Sequence, residues 1–177
     1  KKEIIKNFEN KFKKNNIKNN QIIFLPYFNY GGSISPFFNL NTKGEIFGLQ
    51  PHHSGEDILL ASYQGLAMSI KDCYDALEIK LNKLFLSGGA SRSNLFPQIL
   101  ADVLKTKIYI PEGEEFGARG AAYLTSVAIK KNKNLSSALK INQKIKKKYY
   151  PNIKNYHYYS LKFGKFLKLR KQLNNIW

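Results

Sequence analysis

The residues best placed for chemistry lie in Lys83-Leu-Phe-Leu-Ser-Gly-Gly-Ala-Ser-Arg-Ser-Asn-Leu-Phe-Pro-Gln98, where a short apolar run ends in paired glycines and an amphipathic segment follows. The pattern reads as strand, turn and helix. Leu84, Phe85 and Leu86 suit a strand buried on both faces. Gly88 and Gly89 permit backbone torsions closed to other residues and let a ligand approach the main chain. A helix predicted over about residues 94–104 would present unpaired N–H groups and a partial positive charge at its first turn, with Ser91 and Ser93 as candidate caps. Such a turn is a candidate anion-binding corner. A glycine pair is also an ordinary strand-to-helix connection, and the stretch matches neither G-x-x-x-x-G-K-[ST] nor G-x-G-x-x-G. Other reactive side chains offer less. His52 and His53 are adjacent and point apart, which disfavours a joint metal site. Cys73, the only cysteine, falls on the inward side of a predicted helix with no His or Asp spaced to activate it.

The elements that must position the turn can be read on either side of it. Residues 1–20 carry Ile4, Ile5, Phe8, Phe12 and Ile17 at roughly helical spacing before an Asn-rich break, which predicts a short basic helix on the rim. An extended run, Gln21-Ile-Ile-Phe-Leu-Pro-Tyr27, leads into the turn-rich Asn29–Pro36. Next, Gly44-Glu-Ile-Phe-Gly-Leu49 reads as a strand. Ser54 and Asp57 have the spacing of a capping box for a long core helix reaching about Glu78, its apolar face carrying Ile58, Leu59, Tyr63, Leu66, Ala67, Ile70, Tyr74 and Leu77. Beyond the central turn come a strand, Lys107-Ile-Tyr-Ile110, and a helix in which Gly117, Ala118, Gly120, Ala121 and Ala122 cluster. Small residues at that density admit close packing by another element or a flat ligand laid against them. Residues 131–177 read as a basic helical tail, with one helix near Leu135–Lys147 and a last one from about Tyr156 to Leu173. In the last helix Leu161, Phe163, Phe166, Leu167 and Leu169 form the docking stripe and the lysines point outward.

A chain of 177 residues that is 43% hydrophobic can bury a core as one domain. Its net charge of +17 is concentrated at the ends: residues 1–20 carry +5 and residues 130–177 carry +14, against −2 for residues 21–129. The segment with the glycine turn is therefore nearly neutral. Lysine-rich solvated helix faces, in a composition rich in Lys, Asn and Ile, account for that excess more simply than a dedicated nucleic-acid surface. A non-catalytic basic module for nucleic acid or other polyanions is the competing reading. No apolar run approaches membrane-spanning length, no signal peptide is visible, and a lone cysteine suits a reducing compartment, so the expectation is a soluble, cytoplasmic chain. A first residue of Lys and not Met suggests either a piece of a longer protein or a start that the sequence omits.

Four stretches in order carry a resemblance. Gly44-Glu-Ile-Phe-Gly-Leu49, the spacer Gln50–Glu56 and Asp57-Ile-Leu-Leu-Ala-Ser-Tyr-Gln64 make the first. Leu86-Ser-Gly-Gly-Ala-Ser-Arg-Ser93, Gln98-Ile-Leu-Ala-Asp-Val103 and Phe116-Gly-Ala-Arg-Gly-Ala-Ala122 follow. Together they resemble the carboxy-terminal domain of the FGGY family of carbohydrate kinases, over essentially the whole chain from about Gln21. The resemblance implies an α/β, actin-like (ribonuclease-H-like) ATPase fold. In that fold this half holds most of the ATP site, an amino-terminal half supplies most of the sugar site, and the sheet here is incomplete because its first strands precede Lys1. It implies ATP and Mg²⁺ as cofactors and a small sugar or polyol as acceptor. It places the nucleotide on Gly88, Gly89 and Ala90, with Ser93 close to adenine. The family's catalytic Asp and phosphate loop lie upstream, so no catalytic residue and no metal ligand is expected in this chain. The expected partners are the missing amino-terminal half and, through an uncovered strand edge, a second copy; neither a membrane nor a specific nucleic acid is expected. Pro26-Tyr-Phe is followed by Asn29-Tyr-Gly-Gly-Ser-Ile-Ser-Pro36, where many members have Gly-Glu-Arg-x-Pro. That loop and the Gly117–Ala122 run look more like xylulokinase-type enzymes, with a pentulose such as xylulose as substrate, than like glycerol kinases.

Overall fold

A computed structural model describes residues 2–14, 20–28, 30–139 and 144–177. Its central element is helix α2, Gly55–Ala76. The helix begins where the sequence places it: Ser54 Oγ accepts the Asp57 N–H at 3.3 Å and Asp57 Oδ2 accepts the Ser54 N–H at 2.8 Å, closing the capping box. Strand β1 (Ile23–Leu25) lies against α2 and pairs antiparallel with β2 (Glu45–Phe47), Ile23 opposite Phe47. The approach of α2 to β1 requires Gly65, because a Cβ there would overlap the carbonyl oxygen of Phe24.

The second sheet carries the glycine turn. Strand β3 (Lys83–Phe85) runs parallel to β4 (Lys107–Pro111), and helix α3 (Phe96–Leu104) is the crossover between them. Strand β5 (Ile145–Tyr149) is antiparallel to β4 on its other side. Helices α4 (Phe116–Ala128) and α5 (Leu135–Leu139) lie between β4 and β5 in the chain, and α6 (Ile153–Leu173) returns to pack on α2, α3 and β1. Helix α1 (Lys2–Lys14) docks through Phe8, whose ring meets Phe12 and, edge-on, Tyr63. Phe8 is 3% exposed, so α1 contributes to the core and is more than a rim helix. Ile17 and the side chain of Ile4 lie outside the described residues.

Several expectations need correction. The segment predicted as one helix over Leu135–Lys147 is a short helix followed by strand β5. Ile145 and Tyr149 are four apart, a spacing that satisfies helical and strand periods alike, and the free edge of β4 decides between them by offering backbone partners. The buried sector of α2 holds Leu60, Ala61, Gln64, Ala67 and Met68, whereas Leu66 and Leu77 are exposed. Helical periodicity gives a stripe, but β1, α3 and α6 close on the helix from several sides and select the residues between them. Phe85 of β3 is 48% exposed and not buried on both faces. Its ring packs edge-on against Tyr109 and borders a cleft lined by Phe116 and Tyr123 of α4.

Helix α6 departs most from its sequence reading. Leu161 is exposed, while Lys162, expected to point outward, is 5% exposed between Phe163 and the network around Gln64. Its ammonium meets three oxygens: the Asn20 carbonyl at 2.7 Å, Gln64 Oε1, and Tyr158 Oη at 3.2 Å. Tyr158 gives its own proton to the Asn20 carbonyl at 2.7 Å, so its oxygen is free to accept. Lys162 thereby ties α6 to α2 and to the segment that enters β1. The start of α6 is held by Asp102 of α3, which is 2% exposed and accepts from Asn152 N–H, Asn155 Nδ2 and Gln98 Nε2, each at 2.8 Å. The other end is held by an ion pair between Arg170 and Asp72 at 2.9 Å.

Burial, with a smaller push from Lys165, lowers the pKa of Lys162 to about 7. Between that value and the ordinary lysine value of 10.5, the folded chain binds fewer protons than the unfolded chain. The unfavourable burial of charge is therefore fully present below about pH 7 and is relieved as pH rises towards 10.5. Urea titrations from pH 6.5 to 9.5 should show wild type gaining stability with pH relative to Lys162→Met; parallel pH profiles would remove Lys162 from this linkage.

Candidate functional site

The turn after β3 is built by hydrogen bonds that leave its glycines outward. The Leu86 N–H donates to the Tyr109 carbonyl at 2.9 Å, carrying the pairing one residue past β3. Gly88 then takes φ 77° and ψ −159°, a conformation natural to glycine, and a single 3₁₀ turn spans Gly89–Arg92. The Ser91 N–H and hydroxyl both donate to the Gly88 carbonyl, at 3.2 and 2.7 Å. Gly88, Gly89 and Ala90 are exposed, and a Cβ at either glycine would meet nothing within 4 Å. The conformational requirement rests on Gly88 alone, because Gly89 has an ordinary backbone.

Helix α3 starts at Phe96, later than predicted, and its first turn is already supplied with an anion. Glu9 of α1, 5% exposed, accepts the Ser93 hydroxyl at 2.5 Å through Oε1 and the Asn94 N–H at 3.0 Å through Oε2. Ser93 Oγ in turn accepts the N–H groups of Leu95 and Phe96 at 3.1 and 2.9 Å. Of the two candidate caps, Ser93 serves and Ser91 does not. The single proton and both lone pairs of Ser93 are thus used within the chain. Tyr63 reaches Glu9 as well, at 3.4 Å, and its phenol pKa is raised by burial first and by the Glu9 charge second. The helix start predicted as an anion corner is therefore a joint between α1, α2 and α3.

Two adjoining clefts open beside the turn. The first, about 210 Å³, has Gly88, Ser91 and Arg92 on one wall, Glu114 and Glu115 on another, and Lys146 and Lys147 of β5 on a third. Lys147 Nζ donates to Asn94 Oδ1 at 2.9 Å, tying β5 to the loop. The second, about 330 Å³, shares Pro111 and Phe116 with the first and is mainly apolar, lined by Phe85, Gly120, Tyr123 and Leu139 among others. Arg119 sits over the Phe116 ring and donates to the Glu112 carbonyl at 2.8 Å. Gly113, at φ 110°, makes room for it, since a Cβ there would stand 2.6 Å from the guanidinium. A charged compartment joined to an apolar one can receive a ligand with an anionic end and a flat apolar end. Of the predicted contacts, only Gly88 lines these clefts; Gly89 and Ala90 lie on the outer surface of the same turn.

The small-residue face of α4 is open: a Cβ added at Gly117 or Gly120 would meet no atom within 4 Å, and α4 buries no residue completely. Arg92, Lys146 and Lys147 were not singled out from sequence. The basic residues of β5 reach the turn only because β5 pairs with β4, and no local pattern announces that pairing. Among the described residues no group of three His, Cys, Asp or Glu could hold a metal ion, and no helix is long and apolar enough to cross a membrane.

Residues 6–129 match the family model of the FGGY family of carbohydrate kinases, C-terminal domain. The chain belongs to this family. Similar proteins include the glycerol kinase of Streptococcus uberis, 32% identical over 127 residues that make up 70% of this chain and 25% of that protein. The probable L-xylulose kinase of Haemophilus influenzae is 27% identical over 88% of this chain and 31% of its own length. Among solved structures, a ligand-bound xylulose kinase from Lactobacillus acidophilus superposes with a TM-score of 0.81 at 24% identity, covering 95% of this chain and 34% of that one. The Plasmodium falciparum glycerol kinase with ADP gives 0.74 at 21% identity, covering 94% and 33%. The fold is thus that of the actin-like sugar kinases. The chain spans about a third or less of the length of these relatives.

The joint at Glu9 can be tested directly. Glu9→Gln should lower stability by about 1–3 kcal/mol, the range for hydrogen bonds to a charged group that leave buried partners poorly satisfied. Denaturant midpoints would show it, and an unchanged midpoint would mean that Glu9 does not hold the turn.

Proposed function

We propose that this chain is the nucleotide-holding portion of a kinase that transfers the γ-phosphate of ATP to a hydroxyl of a small sugar or polyol, a pentulose such as xylulose being the favoured acceptor. The observation that carries the reading is the outward glycine turn at Gly88–Ala90 beside the cleft that contains Arg92 and Lys146. Backbone without side chains allows close approach of a nucleotide, and the cations offset the charge of its phosphates. Ser93 acts from behind, fixing the loop through Glu9. The adjoining apolar cleft suits the base or ribose. The relatives named as xylulose, glycerol and erythritol kinases support phosphoryl transfer to a polyhydroxylated acceptor, and the xylulokinase-like loop at Asn29–Pro36 favours a ketopentose.

Phosphoryl transfer also needs Mg²⁺, phosphate clamps and a carboxylate positioned to take the acceptor's proton. Mg²⁺ would neutralise charge between the phosphates, held chiefly by the nucleotide's own oxygens. Asp102 and Asp72 do not serve as the base: one is occupied by three donors in holding α6, the other by Arg170. The base and most of the sugar pocket belong to an amino-terminal half that would also close over ATP and exclude water.

Two measurements bear on this reading. Gly89→Val should fold like wild type, since its side chain enters open space, yet weaken ATP binding by about 1–3 kcal/mol through overlap with the ligand. Equal ATP affinity by calorimetry in the folded variant would remove the turn from the site. Purified residues 1–177 with Mg-ATP should release no ADP in response to xylulose, ribulose or glycerol; sugar-dependent turnover would show that the active site is complete within this chain.

A further inference from the structure

A cleft of about 620 Å³, larger than either cleft at the glycine turn, lies between α6 and the loop that joins β2 to α2 and shares no lining residue with them. Its volume is in the range of small-molecule sites. On one side Lys165 and Lys168, three residues apart, stand on the same face of α6. On the other side the loop contributes His52 and His53, with ring centroids 4.3 Å apart. The adjacent histidines, read from sequence as pointing apart, are thus brought to one cleft. His53 Nδ1 accepts the Gln50 N–H at 2.8 Å, which leaves Nε2 as the ring's donor. Among the described residues no carboxylate lines the cleft.

We propose that this cleft binds a small phosphorylated metabolite, its phosphate held between the two lysines and the histidine pair. The floor argues for a carbon skeleton beyond a bare ion, because Ile23, Phe47 and Leu169 supply apolar surface, Phe47 being 59% exposed. The carboxamides of Gln21 and Gln172 at the same cleft can pair with hydroxyl groups. Convergent cations also repel one another: burial first, and then the charge of Lys165, disfavours the ammonium of Lys162. An anion seated at Lys165 relieves that repulsion. The concave shape, the apolar floor and the lack of acids among its lining residues distinguish this cluster from a merely solvated lysine face.

The test uses the 177-residue chain and three probes: ribose 5-phosphate, inorganic phosphate and a single-stranded oligonucleotide. Ribose 5-phosphate at millimolar concentration should shift the ring resonances of His52 and His53 saturably and bind at least several-fold tighter than inorganic phosphate. Lys165→Gln combined with Lys168→Gln, both exposed positions, should retain the circular dichroism spectrum and weaken binding about tenfold or more, whereas Gly89→Val should leave it unchanged. Unshifted histidines, or equal affinity in the double variant, would overturn the site. Equal affinity for inorganic phosphate would overturn the metabolite assignment, and binding seen only with the oligonucleotide and abolished by salt would replace it with a general polyanion surface.

Discussion

The carboxylate of Glu9 is the constraint on which the geometry of the glycine turn depends. It comes from α1 and lies buried against the start of α3, where it satisfies Ser93 and Asn94. A helix amino terminus that could have held a ligand anion instead holds an anion of the chain itself, which stabilises the helix dipole and removes unpaired N–H groups from the interior. With its rear fixed, the loop presents Gly88, Gly89 and Ala90 outward in one conformation. The helix end is thereby taken up within the chain, and the groups left open are the backbone of the turn and the side chains beside it.

Similar logic governs the polar residues inside the fold. Lys162, Gln64, Asn20 and Tyr158 form a closed set in which an ammonium finds three oxygens. Asp102 meets three donors, and Arg170 meets Asp72. Each group joins α6 to an element distant in sequence. Buried polar groups of this kind are strongly penalised when unpaired, so they select one docking of the helix where the apolar contacts of Phe163 and Phe166 would tolerate neighbouring ones.

The positive charge of the chain is therefore divided among different tasks. Lys162 is structural, Lys146 and Arg92 border the cleft beside the glycine turn, and Lys165 and Lys168 face a separate cleft with the histidine pair. A net charge by itself does not separate these tasks, because they differ in burial and in neighbours, which are properties of the folded chain.

The family, the capping box at Ser54, the long helix α2, the strand at Lys107 and the glycine turn could all be read from the sequence, since each rests on residues close together in the chain. Torsional freedom at Gly88 and the pairing of Ser54 with Asp57 are local physics and survive any packing. Other features needed the tertiary structure. β5 replaces a predicted helix because β4 offers it an edge; Lys162 turns inward because Gln64 and Asn20 supply oxygens; Ser93 donates to Glu9, eighty-four positions away. His52 and His53 become part of a basic cleft only when α6 lays Lys165 and Lys168 across from them. A local pattern determines which conformations and partners a residue can accept, and long-range packing decides which of those partners it meets.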